Sequence, residues 1–82
     1  MQIRNEDIRE VTVGVPEGHW HVRTTIVLQD GTEITFPEAA MANMTRAFIT
    51  LKTHPVKTSV RLRGRRVADP KTGYAEWQLL EE

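Results

Sequence analysis

An α+β fold is predicted for this 82-residue chain, with an antiparallel sheet of about five strands and one helix on one face. Three observations carry that expectation. Apolar and polar residues alternate with period two over Val11–Val15, His19–Gln29, Thr32–Phe36, Val56–Arg63 and Tyr74–Leu80. Between the third and fourth of these segments, apolar residues recur at helical spacing. Turn signals at Pro16-Glu17-Gly18, Asp30-Gly31 and Asp69-Pro70-Lys71-Thr72-Gly73 mark where the chain reverses. The order is β-β-β-α-β-β in two layers. A small, partly open β-barrel with one helix is the alternative.

The elements follow in order. Val11, Val13 and Val15 make a first half-buried strand, closed by a turn in which Pro16 fixes φ and Gly18 accepts a positive one. In the second strand Trp20, Val22, Thr24, Ile26 and Leu28 share the core face, and His21, Arg23, Thr25 and Val27 the outer one. Asp30-Gly31 predicts a two-residue type I′ hairpin. Ile34 and Phe36 then point inward from the third strand. Pro37 suits the first turn of a helix, where its missing N–H has no ladder partner, and Glu38 complements the positive end of the dipole. Ala40, Met44, Ala47, Phe48 and Leu51 form the stripe of a helix of about four turns, with Ile49 off that stripe. His54 precedes Pro55, which disfavours helical backbone, so the helix ends near Lys52 or Thr53. With Phe48 in the core, truncation to alanine is expected to cost about 3–5 kcal/mol.

Val56, Val60 and Leu62 mark the fourth strand and Ala75, Trp77 and Leu79 the inner face of the fifth. Setting Asp69 opposite Tyr74 brings Gly64 across from Leu79 and Arg66 across from Trp77. The apolar faces of the two strands then coincide, which supports that register. The topology resembles small sheet-plus-helix modules such as β-grasp domains. No sequence motif accompanies the likeness, and topology alone implies no function.

Length and composition define one small globular domain over residues 1–82, with a thin stability margin. The chain has no cysteine, so no disulfide reinforces it. No apolar run approaches the ~20 residues of a membrane span. Met1-Gln2-Ile3-Arg4 does not begin a leader pattern, and a cytoplasmic location is the expectation. For so small a core, association as a homodimer is a natural route to added stability.

Charge is sorted along the sequence although it sums to zero. Residues 1–45 carry three cations against seven acids, and residues 46–73 carry eight cations against Asp69 alone. The strand over residues 57–66 concentrates Lys57, Arg61, Arg63, Arg65 and Arg66. Side chains two apart on a strand project from one face at ~6–7 Å intervals, so Arg61, Arg63 and Arg65 form a strip suited to phosphate or carboxylate. An acidic protein segment or a nucleic acid is the matching partner. The bland alternative is a solvated outer face paired with Glu76, Glu33 or Glu10, with Arg66 resting on Trp77. Four of the five aromatics fall on expected core faces, leaving Tyr74 beside the last turn as the one candidate for base stacking.

Other chemistry has little support. His19 and His21 share a face and are weak candidates for a metal, but no further ligand is placed beside them. Glu6/Asp7 and Glu81/Glu82 are terminal acid pairs expected to be solvated. No nucleophile, phosphate loop or His–carboxylate motif is present, and so short a chain has little volume for a pocket of ~300 Å³. The expectation is a small binding module without enzymatic activity or cofactor. An accessory homodimeric subunit is a further alternative.

Overall fold

A computed structural model describes all 82 residues, and its elements come in the expected β-β-β-α-β-β order. A 3-10 turn at Asn5–Asp7 precedes β1 (Ile8–Gly14), β2 (Arg23–Leu28) and β3 (Glu33–Pro37). These are followed by α1 (Glu38–Thr53), β4 (Leu62–Arg66) and β5 (Trp77–Glu81). Every strand pairing is antiparallel. The strands divide into two sheets, β1-β2-β3 and β4-β5, and neither closes into a barrel. The chain correspondingly forms two compact units, Met1–Glu38 and Ala39–Glu82.

In the first unit, β2 is the central strand and supplies all the buried residues: Thr24, Val27 and Leu28. Val11, Ile26 and Ile34 stand in one row across the sheet, and Val13, Thr24 and Phe36 in the next row on the same face. Thr12, Thr25 and Thr35 line the other face, where the Thr25 and Thr35 hydroxyls are 3.2 Å apart and share a hydrogen bond. An irregularity between Ile8 and Glu10 sets Ile8 opposite Leu28. Strict alternation would leave Ile8 beside Glu10 and Thr12. The extra residue in the bulge returns it to the apolar face.

Three expectations change here. Val27, expected on the outer face, is buried on the central strand, flanked in register by Glu10 and Glu33. A central strand has a neighbouring strand on each side, which removes exposure that alternation alone does not reveal. The β2–β3 reversal is a three-residue loop, Gln29-Asp30-Gly31, rather than a type I′ turn. The Gly31 N–H donates to Leu28 O at 3.0 Å, the Leu28 N–H to Thr32 O at 2.8 Å, and only Gly31 takes a positive φ, 91°. Trp20 lies outside the sheet and is 92% exposed, because the β1–β2 ladder ends at Gly14 and Arg23. The turn itself is as expected, with Gly18 at φ 79° and His19 N–H donating to Pro16 O at 3.0 Å.

The second unit holds the remainder of α1 and the β4–β5 hairpin. The helix closes with the His54 N–H on Thr50 O at 2.8 Å, ahead of Pro55. His54 Nδ1 then accepts from the Val56 and Lys57 N–H groups, both at 3.3 Å, which turns the chain away from the helix axis. Residues 54–60 stay outside the ladder. Val56 is consequently exposed rather than part of a strand.

Asn43 fixes which side of α1 meets the hairpin, donating from Nδ2 to Leu79 O at 3.0 Å. Ala47 and Thr50 follow Asn43 at helical spacing and are half-buried with it. Phe48 lies about 100° around the helix from Ala47 and is 61% exposed, contrary to the expected stripe. Trp77, 65% exposed, also departs from its expected core position. It begins β5 at the turn end of a two-stranded ribbon, the part of a hairpin with the fewest neighbours.

The hairpin register is the expected one: Gly64 faces Leu79 and Arg66 faces Trp77. Gly73 holds φ at 88° while the Tyr74 N–H donates to Lys71 O at 2.9 Å, a turn in which the third residue must be left-handed.

Stability measurements separate the buried strand from the exposed helix position. Leu28→Ala is expected to lower unfolding free energy by about 2–5 kcal/mol, and Phe48→Ala by no more than about 0.5 kcal/mol. Urea denaturation of both variants checks this, and equal losses would return Phe48 to the core.

Candidate anion-binding site

The alternation of β4 sorts the five candidate cations. Arg63 and Arg65 pair with Leu80 and Gln78, while Leu62, Gly64 and Arg66 share the opposite face with Glu81, Leu79 and Trp77. The ladder continues one pair beyond β4, since the Glu82 N–H donates to Arg61 O at 3.0 Å. Arg61, Arg63 and Arg65 are thus brought together on one face, as the spacing predicts. Lys57, Arg66 and Tyr74 are not part of it.

One carboxylate sits among the three arginines. Glu82 lies 3.2 Å from the Arg63 guanidinium, 3.7 Å from that of Arg61 and 3.8 Å from that of Arg65. Its side chain is 32% exposed, against 77%, 56% and 53% for Arg61, Arg63 and Arg65. The guanidinium groups therefore stand outermost and the acid sits between them. Three guanidinium groups lie within 3.8 Å of this one side-chain carboxylate, and each is more exposed than it. Each arginine meets the carboxylate through one guanidinium nitrogen, so the grouping is one of charge rather than of paired hydrogen bonds.

From the sequence, Glu82 is expected among the solvated terminal acids. Its position follows from the hairpin register, in which Arg61 is the partner of Glu82 once Gly64 is the partner of Leu79. That was the signal available to find it.

The other cations are spent elsewhere. Lys57 lies in the loop before β4, and its ammonium meets Glu81 at 3.0 Å, on the face away from Arg63. Arg66 pairs with Glu76 across the hairpin and does not rest on Trp77. The cation–π contact in the chain is instead Lys52 Nζ, 6.0 Å from the centre of the Phe48 ring. Tyr74 is exposed in the loop before β5, as expected for it.

His21 belongs to a different arrangement. Glu38, the first residue of α1, accepts from His21 Nδ1–H at 2.8 Å and from the Val22 N–H at 3.2 Å. The Val22 hydrogen bond, with that of His21 second, holds the Glu38 carboxyl below the usual range. His21 is thereby tied to an acid rather than to His19, and no three metal-ligating side chains gather anywhere in the chain.

Two open grooves exceed the volume expected of so short a chain. One of about 350 Å³ runs between α1 and the hairpin, lined among others by Asn43, Ala47, Thr50, Leu62 and Leu79. Another of about 430 Å³ lies beside Ile3, Arg4, Asp7, Leu28 and Asp30. No helix is long and apolar enough to cross a membrane.

Comparison with known proteins adds no template. No family model, curated protein or solved structure matches this chain.

The Glu38 arrangement has a pH signature. A carboxyl lowered on folding stabilises the fold fully above its unfolded value, and that contribution is lost as pH falls through the folded value. Carboxyl-resolved NMR titration should give Glu38 a midpoint below that of an unstructured glutamate, moving back up in His21→Ala. A midpoint at or above the unstructured value would remove the hydrogen bonds from solution.

Proposed function

We propose that this chain is a small, non-enzymatic binding module that engages a negatively charged partner through Arg61, Arg63 and Arg65. The supporting observation is the unequal charge of that face, where three guanidinium groups share the single carboxylate of Glu82. An excess of fixed positive charge on an exposed surface draws anions and steers their approach. A structural role alone gives weaker grounds for three arginines, because exposed ion pairs contribute only ~0–1 kcal/mol each.

Of the anionic partners, an acidic protein segment fits better than a nucleic acid. Base recognition requires stacking surfaces beside the phosphate contacts. Gln78 and Leu80 occupy the arginine face, while Trp77 projects from the other side of the hairpin. The nucleic-acid reading keeps one favourable observation, the exposure of both Tyr74 and Trp77 near the turn. A homodimeric accessory role draws on exposed Val11 and Val13, which share a face of edge strand β1.

Binding of a heparin probe and a short generic RNA at two salt concentrations tests the proposal. Binding should weaken steeply with salt and fall at least about tenfold in Arg61→Ala/Arg63→Ala, an energetic loss of ~1.4 kcal/mol. The variant should retain the parent melting temperature within a few degrees. Absence of binding by the parent at low salt, with a dimeric mass by light scattering, would favour the accessory role instead.

A further inference from the structure

The outer edge of β4 is an unpaired strand beside the arginine face. In the β4–β5 sheet, the Glu82 N–H reaches Arg61 O and the Val67 N–H reaches Glu76 O at 2.7 Å. In an antiparallel ladder the bonded pairs alternate, so Arg61, Arg63, Arg65 and Val67 direct their backbone groups toward β5. Leu62, Gly64 and Arg66 direct theirs the other way. The outward edge of β5 follows the same rule, since Leu79 O there accepts from Asn43. No strand takes the corresponding position along β4. Gly64, at its middle, is exposed, and a Cβ built on it would meet nothing within 4 Å.

We propose that β4 receives an extended acidic segment of a partner protein as an added strand. The segment would lie along Leu62–Arg66 and set carboxylates against Arg63 and Arg65. This rests on the anionic-partner reading above and names the partner's chemistry. Strand addition supplies main-chain hydrogen bonds through Leu62, Gly64 and Arg66, and side chains at alternate positions supply selectivity. A partner with acids at every second residue aligns them all on the arginine face, where opposite charges across strands are favourable. The carboxylate of Glu82 already demonstrates that chemistry in the free chain.

Charge complementarity excludes the other candidate occupant. A second copy pairing β4 against β4 would set arginines across from arginines, and like charges directly opposite are destabilising. Cations along an exposed edge are a recognised guard against self-pairing. The same guard leaves the edge open to an acidic strand.

The test uses the intact protein and a labelled, end-capped peptide of about ten residues alternating Glu and Thr, long enough for one strand. Two isomers carry N-methyl groups on either the glutamate or the threonine amides. Both keep every charge, but each loses the donors along one edge. The parent peptide should bind, and one isomer should bind at least about tenfold more weakly while the other stays close to the parent. The threonine isomer fails if the added strand is antiparallel, and the glutamate isomer if it is parallel. Amide exchange provides a second readout: Leu62, Gly64 and Arg66 should be slowed by the parent peptide.

Equal binding of all three peptides, with those amides unprotected, would overturn strand addition and leave the anionic-partner reading standing. If both isomers bind weakly, protection at the three amides decides in favour and its absence against. RNA binding without peptide binding would also overturn the inference, assigning the strip to nucleic acid. Failure of peptide, RNA and heparin together at low salt would remove both the inference and the reading beneath it.

Discussion

Gly73 holds its positive φ in the turn from Lys71 to Tyr74, and the pairing of β4 with β5 depends on that reversal. A side chain on a strand has two directions available, so the register decides the face of every residue in the hairpin. With Gly64 opposite Leu79, Arg63 and Arg65 project from one side, and Arg61 joins them across from Glu82. A slip of one residue would carry Gln78 and Leu80 away from that face, and Glu82 would lose Arg61 as its partner. The charge pattern is therefore a consequence of turn geometry.

The two faces of the hairpin differ in burial and in how their charge is balanced. Leu62 and Leu79 are half-buried on one face, where Asn43 fastens the outer edge of β5 to the helix. Lys57–Glu81 and Arg66–Glu76 balance charge among residues belonging to that face or flanking it. On the arginine face the balance fails, because Glu82 serves three cations. Exposed ion pairs contribute little to stability. The unequal count is consequently tolerated by the fold.

Much of this was legible in the sequence. The element order, the limits of α1 and the β4–β5 register all follow from turn residues and periodicity, which act through local backbone chemistry. The β2–β3 reversal was visible in Asp30-Gly31, but its type was not, because one glycine is compatible with both a two-residue and a three-residue loop. Burial was less legible. Alternation divides a strand into two faces without stating what covers them. The alternation through Trp20 runs ahead of a strand that begins only at Arg23, and the apolar stripe through Phe48 is not the side of the helix that meets the hairpin. Trp77 had the right register, yet a two-stranded ribbon does not enclose it. Glu82 was within reach of the same register and was missed because an acid at the end of the sequence reads as solvated.

Arginine side-chain NMR during a salt-controlled titration with an acidic peptide tests the central claim most directly. The Nε–H signals of Arg61, Arg63 and Arg65 should shift together and saturate, while those of Arg4, Arg9 and Arg23 hold their positions. Uniform small shifts across all arginines, or saturating shifts confined to residues outside β4 and its flanking Arg61, would contradict a binding face built on this strand.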